Sequence, residues 1–444
     1  MPGLFSAPRS DYPLDPKYGA RRGESLVTVV DAGGSPVPNA EVTVAQTNHQ
    51  FLFGNIGFEL IDWINGYRHD DDGGGVAPLR HLEIGETPLG RDTSNAPDGG
   101  LTQSEYDEVL AQRWLALFNQ ATLPFYWGRF EPVEGQPRTA ELKRAAEWFR
   151  DRNVVLKGHP LVWHTVQPDW LLEKPLSEVE HLLRRRIQRE VTDFAGLIDT
   201  WDAINEVVIM PVFENGDNAI TPLSRVLGRI GMVRRAFEDA RKANPHVTLI
   251  LNDFDMSTAY EALLEGVLEA GIKIDKLGLQ SHQQQGFWGL EKTERVLNRF
   301  ARYNIPIHFT ETTLVSGDLM PPEIVDLNDY QVTEWPTTPE GEERQADELE
   351  LWYRTLTSHP LVEAITYWGM GDRGMWLNAP GGLLRLDGTP KPGYDRLMSL
   401  IKGEWWLAPT KMRTDANGQV TVSGWKGTYE VTAPDGTVTP VTVA

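Results

Sequence analysis

Ile198-Asp199-Thr200-Trp201-Asp202-Ala203-Ile204-Asn205-Glu206 is a short, mostly apolar run that stops on a carboxylate. Upstream, 177–196 carries apolar residues at helical spacing, and 222–243 does so again downstream. A buried strand between two helices reads as one unit of a parallel sheet, because parallel strands need helical crossovers and are covered on both faces. Working outward, seven further runs have the same character, at 51–58, 121–127, 154–163, 247–253, 276–282, 305–312 and 362–369. Helical patterns at 104–118, 139–152, 259–271, 290–303, 341–358 and 391–402 complete the alternation. Thr102-Gln103-Ser104-Glu105 and Ser177-Glu178 read as helix starts. Eight alternations, with no GxGxxG after the first strand, predict a closed α/β architecture, a (β/α)8 barrel over 49–403, rather than a doubly wound open sheet.

The ends of the chain have a different rhythm. Residues 25–44 alternate apolar and polar around Ala32-Gly33-Gly34-Ser35-Pro36-Val37-Pro38, a hairpin-like pattern. The tail repeats that habit, with turns at Asp415-Ala416-Asn417-Gly418 and Pro434-Asp435-Gly436 between strand-like runs. Two strands do not stand alone. The stretches "GGSPVPNAEVTV" and "TDANGQVTVSGWKGTYEVTAPDG" together resemble one split copy of a small β-sandwich of the carboxypeptidase-regulatory type. The expectation is therefore an accessory β-sandwich built from residues 1–48 and 404–444, with the two termini meeting beside the barrel. Two long connections remain, 59–103 and 313–340, and in a barrel both rise from the face that carries active sites. His69-Asp70-Asp71-Asp72 in the first of them reads as solvated loop in preference to a calcium site.

Composition narrows the function. The chain has 444 residues, and 42 Lys plus Arg against 63 Asp plus Glu give a net charge of -21. That charge repels phosphate backbones and anionic bilayers, so neither nucleic acid nor membrane is expected as a partner. With no Cys, thiol nucleophiles, thiolate metal sites and disulfides are excluded. No apolar stretch reaches ~18 residues and the first 20 residues lack a leader pattern. The expected location is the cytoplasm, or outside the cell if a leader precedes this sequence. The sequence carries no signal of oligomeric state.

Two carboxylates end apolar strands three apart, Glu206 in the fourth and Glu311 in the seventh. Across a closed barrel that spacing suits glycoside hydrolysis, in which one acid protonates the leaving oxygen and one carboxylate attacks, ~5–5.5 Å apart for retention. His159, His164 and His282 lie at neither HExxH nor HxH spacing, so no metal and no cofactor is expected. His164 reads as a satisfied core histidine, and Trp114, Trp148 and Trp352 as packing residues on helices.

"WDAINE" (201–206), "GHPLVWHTVQPDWL" (158–171), "NDF" (252–254), "GLQSH" (278–282), "FTET" (309–312) and "WGMGDRGMW" (368–376) lie in order along the chain. Together they resemble glycoside hydrolase family 10, the xylanase family. The resemblance implies Glu206 as general acid/base and Glu311 as nucleophile. It further implies that Asn205 binds the sugar 2-hydroxyl, that Gln280 and His282 lie beside the nucleophile, and that His159 and Trp163 line the site. Trp368 and Trp376 would be its aromatic walls. The implied substrate is a xylan-derived oligosaccharide or small β-glycoside, cut by double displacement in the manner of an endo-1,4-β-xylanase. The family's Glu-Asn pair and Lys on the glycone side have no counterpart here, where Pro124-Phe125-Tyr126-Trp127 stands before Gly128-Arg129-Phe130-Glu131-Pro132. That departure leaves an exo-acting or aglycone-directed β-glycosidase of tomatinase type as an alternative, and a non-catalytic carbohydrate-binding protein as a third reading.

Overall fold

The structure, a computed structural model, describes residues 16–67 and 101–444. Its strands are β1 (Arg22–Thr28), β2 (Glu41–His49), β3 (Leu52–Ile56), β4 (Gln120–Pro124), β5 (Val155–His159), β6 (Thr200–Asn205), β7 (Thr248–Asp253), β8 (Lys276–Gln283), β9 (Ile307–Leu314), β10 (Val362–Tyr367), β11 (Thr410–Arg413), β12 (Gln419–Trp425), β13 (Gly427–Thr432) and β14 (Val438–Val443). Strands β3 to β10 close into a parallel barrel in the order β10-β3-β4-β5-β6-β7-β8-β9, the (β/α)8 architecture that the alternation predicts. Every residue of β4 and β9 is buried, as strands covered on both faces must be. Gly158 in β5 lets the indole of Trp201 from β6 lie against the backbone, a place where any Cβ would overlap the ring.

The first barrel helix of the sequence reading, Gln103–Leu117, opens on a reciprocal cap, with Thr102 accepting from Glu105 N–H and Glu105 accepting from Thr102 N–H. The start expected at Ser177 is corrected. That helix runs Leu176–Asp193 behind Pro175, whose fixed φ directs the chain into the first turn, so Ser177 is inside it.

The hairpin expected over 25–44 is also corrected, because β1 and β2 belong to different sheets. β1 pairs antiparallel with β12, whereas β2 lies between β11 and β13 in the sheet β11-β2-β13-β14. The turn itself survives, with the Asp31 carboxylate accepting from Gly33 and Ser35 N–H. The C-terminal strands win the pairing because they bring apolar faces that a lone hairpin lacks. Val27, Val29, Val42 and Val44 pack with Val420, Val422, Tyr429, Val431, Val441 and Val443 in a core of their own. Both chain ends thus build the accessory sheets. Trp425 and Tyr429, the Trp and Tyr residues of these strands, are buried.

These sheets dock under the barrel. Tyr18, Trp405 and Trp425 pack with tilted rings whose centroids are 5.1–5.8 Å apart, and Trp406 meets His49. Arg21 donates to the carbonyls of Thr357, His359 and Val362 at the N-terminal end of β10. The opposite, C-terminal face is left to the βα loops. There the 313–340 connection is built around its own apolar cluster of Val315, Met320 and Trp335, and Met320 N–H donates to Gln284 O. Among the described residues no helix is long and apolar enough to cross a membrane. The acidic run at 69–72 lies outside the described residues.

Candidate active site

Glu206 is the first residue past β6 and sits in the left-handed region at φ 55°, a conformation that costs a side-chain-bearing residue ~1–3 kcal/mol. Its N–H donates to Asn252 O (2.9 Å), which ties the turn to the end of β7. Glu311 lies on β9 opposite Gln280 of β8 and is 5% exposed.

A chain of amides joins the two carboxyls. Asn205 Nδ2 donates to Glu206 Oε1 (3.0 Å), and Gln280 Nε2 donates to the same oxygen (3.1 Å) and to Asn205 Oδ1 (3.0 Å). Asn252 Nδ2 then donates to Asn205 Oδ1 (2.6 Å) and to Glu311 Oε1 (2.8 Å). Thr310 Oγ1 fixes Asn252 from behind, donating to its Oδ1 at 2.6 Å. Trp163 Nε1 reaches the other oxygen of Glu206 (2.9 Å). Gln280 therefore neighbours Glu311 in register while its amide serves Glu206.

The surroundings of the two acids differ in sign. Burial, with the negative charge of Glu311 added, pushes Glu206 up to about 8 against the pull of the Trp163 and Gln280 donors. Burial also acts on Glu311, but His159, His282 and Lys157 outweigh it and hold that carboxyl below its usual range. His282 Nε2 is 3.2 Å from Glu311 Oε2, and its Nδ1 is 3.1 Å from Thr313 Oγ1. A carboxylate only accepts, so Nε2 carries a proton. His159 Nδ1 lies 2.7 Å from Asp202 Oδ2 and 4.0 Å from Glu311 Oε1. Lys157 Nζ meets the same Asp202 oxygen at 2.8 Å, both side chains being almost fully enclosed. Asp202 is buried, yet Lys157 and His159 overcome that penalty and keep it ionised. Lys157, Asp202 and His159 thus form a hydrogen-bonded trio beside Glu311.

The aromatic residues frame this pair. Trp368 is buried edge-on to His159 (5.2 Å) and Phe58 (5.6 Å), and Trp376 meets His282 (4.9 Å) while its Nε1 donates to Asn328 Oδ1 (3.2 Å). In the divergent segment the side chains separate by role. Phe125 packs into the core against Phe130, Phe194 and Trp201. Trp127 donates to Glu131 Oε2 (3.0 Å). Tyr126 faces the site, edge-on to His159 (5.5 Å) and Phe58 (5.9 Å) and tilted against Trp163 (5.4 Å). His164 is buried against Phe213, the core position expected of it, with no hydrogen-bond partner for its Nδ1 among the described residues, and burial pushes it down to about 3.

All nine residues singled out from the sequence for the site, His159, Trp163, Asn205, Glu206, Gln280, His282, Glu311, Trp368 and Trp376, meet at this mouth. Sequence reasoning gave no role to Asn252, Lys157, Asp202 or Thr310. Asn252 had a visible signal, since Asn252-Asp253 ends an apolar run just as Asn205-Glu206 does. Among the described residues no group of three or more His, Asp or Glu is placed to hold a metal ion.

A family model described as Glycosyl hydrolase family 10 matches residues 93–400, more than half of the chain. An endo-1,4-beta-xylanase/feruloyl esterase of Xylanibacter ruminicola is 26% identical over 293 residues, covering 61% of this chain and 40% of that protein. The anti-sigma-I factor RsgI6 of Acetivibrio thermocellus is 23% identical over 420 residues, 93% of this chain and 45% of that one. This chain therefore spans less than half the length of both relatives. Among solved structures, xylanase 10B of Thermotoga petrophila in complex with xylobiose superposes with a TM-score of 0.53 at 21% identity, covering 70% of this chain and 91% of that one. At that identity the likeness speaks for the barrel fold.

Proposed function

The chain belongs to glycosyl hydrolase family 10, and from that premise we propose that it is a retaining β-glycosidase that cleaves β-1,4-xylosidic bonds in xylan-derived oligosaccharides. The observation that carries this reading is the pair Glu206 and Glu311, linked through Asn205, Gln280 and Asn252 and pushed to opposite protonation states. Glu311, ionised, attacks the anomeric carbon of the sugar. Glu206, protonated, gives its proton to the glycosidic oxygen as the carbon–oxygen bond breaks, and the aglycone leaves as an alcohol.

The glycosyl-enzyme ester that forms removes the charge of Glu311. With that charge gone, the force holding the proton on Glu206 weakens, so Glu206 is left as a carboxylate. It then takes a proton from water, the hydroxide equivalent attacks the anomeric carbon from the face the aglycone left, and Glu311 departs as a carboxylate. Two inversions restore the β configuration. Asn205, already bonded to Glu206, is placed in this reading to meet the 2-hydroxyl, where a hydrogen bond strengthens in the transition state.

The test follows xylotetraose and an aryl β-xyloside by proton NMR, reading the anomeric form of the first product before mutarotation. The expected result is β-configured product, with cleavage at internal bonds of the tetraose. First-formed α product contradicts the double displacement. Release of a single terminal sugar alone contradicts the endo action, and binding without turnover contradicts the enzymatic reading altogether.

A further inference from the structure

The turn that presents Glu206 is fastened to β7 twice, once on each side of the strained residue. Glu206 N–H donates to Asn252 O (2.9 Å), and two residues later Val208 N–H donates to Asp253 Oδ2 (3.0 Å). The second oxygen of Asp253 accepts from Asp255 N–H (3.0 Å). Asp253 is wholly enclosed. No cationic side chain pairs with it among the described residues, and the guanidinium of Arg229, on the helix Ile220–Ala243 beside this turn, is given to Val208 O (2.7 Å). The titratable groups that act on Asp253, or on which its charge acts, are Glu206 on the turn, Asp255 on its own loop and Tyr260 from the helix Thr258–Glu269.

A buried carboxylate with N–H donors and no cation is a costly way to hold a turn, since its charge is removed from water without a counter-charge. The charge itself therefore calls for a purpose. Its position behind Glu206 supplies one, because a second negative group there opposes ionisation of Glu206. We propose that Asp253 is a positioning residue for the proton donor: it locks the left-handed turn that presents Glu206, and its negative charge keeps the proton on that carboxyl. This rests on the reading of Glu206 as acid/base. Burial pushes the Asp253 carboxyl up, against the Val208 and Asp255 N–H donors that favour its ionised form.

The experiment compares Asp253→Ala and Asp253→Asn with the unmodified full chain, measuring kcat and KM against pH on aryl β-xylosides with good and poor leaving groups. Thermal melts of each variant run alongside. Asp253→Ala frees the Val208 N–H and lowers kcat ~10-fold on the poor leaving group, with KM within ~2-fold. Asp253→Asn keeps one acceptor, for the Val208 N–H, gives up the one for the Asp255 N–H and recovers part of that kcat, but its alkaline limb moves down by about half a pH unit. An unchanged kcat in the Ala variant overturns the turn-locking role, and an unshifted limb in the Asn variant overturns the electrostatic one. If Asp253→Ala does not fold, the Asn limb alone decides. Glu206→Gln is assayed in parallel. Full activity of that variant on the poor leaving group refutes the acid/base reading itself, whereas its inactivity beside an unshifted Asp253→Asn refutes only the role of Asp253.

Discussion

Replacing Glu206 by Gln isolates the electrostatic cost that the site imposes on the fold. The folded protein keeps the Glu206 proton until about pH 8, whereas the unfolded chain releases it near the ordinary value of 4.5. Between those values the unfolded state binds fewer protons than the native one, so stability falls as pH rises. For a carboxyl removed entirely from water the full displacement is worth on the order of 4–5 kcal/mol. Glu206 borders the open crevice, and solvent screening there leaves about half, ~2 kcal/mol. Gln has nearly the shape of the neutral acid and cannot titrate, so this penalty vanishes in the variant. Scanning calorimetry of both proteins at pH 4, 6 and 8 reads the effect. The melting temperatures should coincide near pH 4, and the Gln variant should melt roughly 2–4 °C higher at pH 8. A constant offset at all three pH values, or a variant that is less stable at pH 8, refutes the reasoning.

The same electrostatics predict a bell-shaped dependence of kcat/KM on pH, with activity lost as pH rises through about 8, where Glu206 gives up its proton, and as it falls below the depressed range of Glu311. A profile flat to pH 9 contradicts it. Lys157→Met removes one of the cations that keep Asp202 and Glu311 ionised, so the acid limb should move to higher pH and the protein should lose ~3 kcal/mol in denaturant melts. Gly158→Ala drives a methyl into the Trp201 ring between β5 and β6 and should cost ~1–3 kcal/mol, read as a lower midpoint in urea.

The barrel is legible in the sequence because each strand is an apolar run between helical periods, and all eight runs become its staves. The edges of those runs are less legible. The reading carries 121–127 into Trp127, but β4 stops at Pro124, which lacks an N–H to continue the ladder. The pairing of β1 and β2 was hidden for a different reason. Local alternation specifies a strand and its buried face but not its partner, and the partners of both lie almost 400 residues away. In the site, Glu206 and Glu311 stand out as acids on apolar strands. Lys157 and Asp202 do not, because a charge inside a strand becomes meaningful only when its counter-charge is seen across the sheet. Tyr126 likewise takes its meaning from rings contributed by two other segments, Phe58 from one and His159 and Trp163 from the other.

In the proposed double displacement Glu311 becomes covalently bonded to the sugar. A 2-deoxy-2-fluoro-β-xyloside with a good leaving group tests it directly, since the fluorine slows both displacements while the leaving group still permits the first. Mass spectrometry of the intact protein after incubation, followed by peptide mapping, should find one fluoroxylosyl adduct on the peptide containing Glu311, with the adduct lost slowly as activity returns. An adduct on Glu206, or turnover of the parent substrate with no adduct anywhere, contradicts the account.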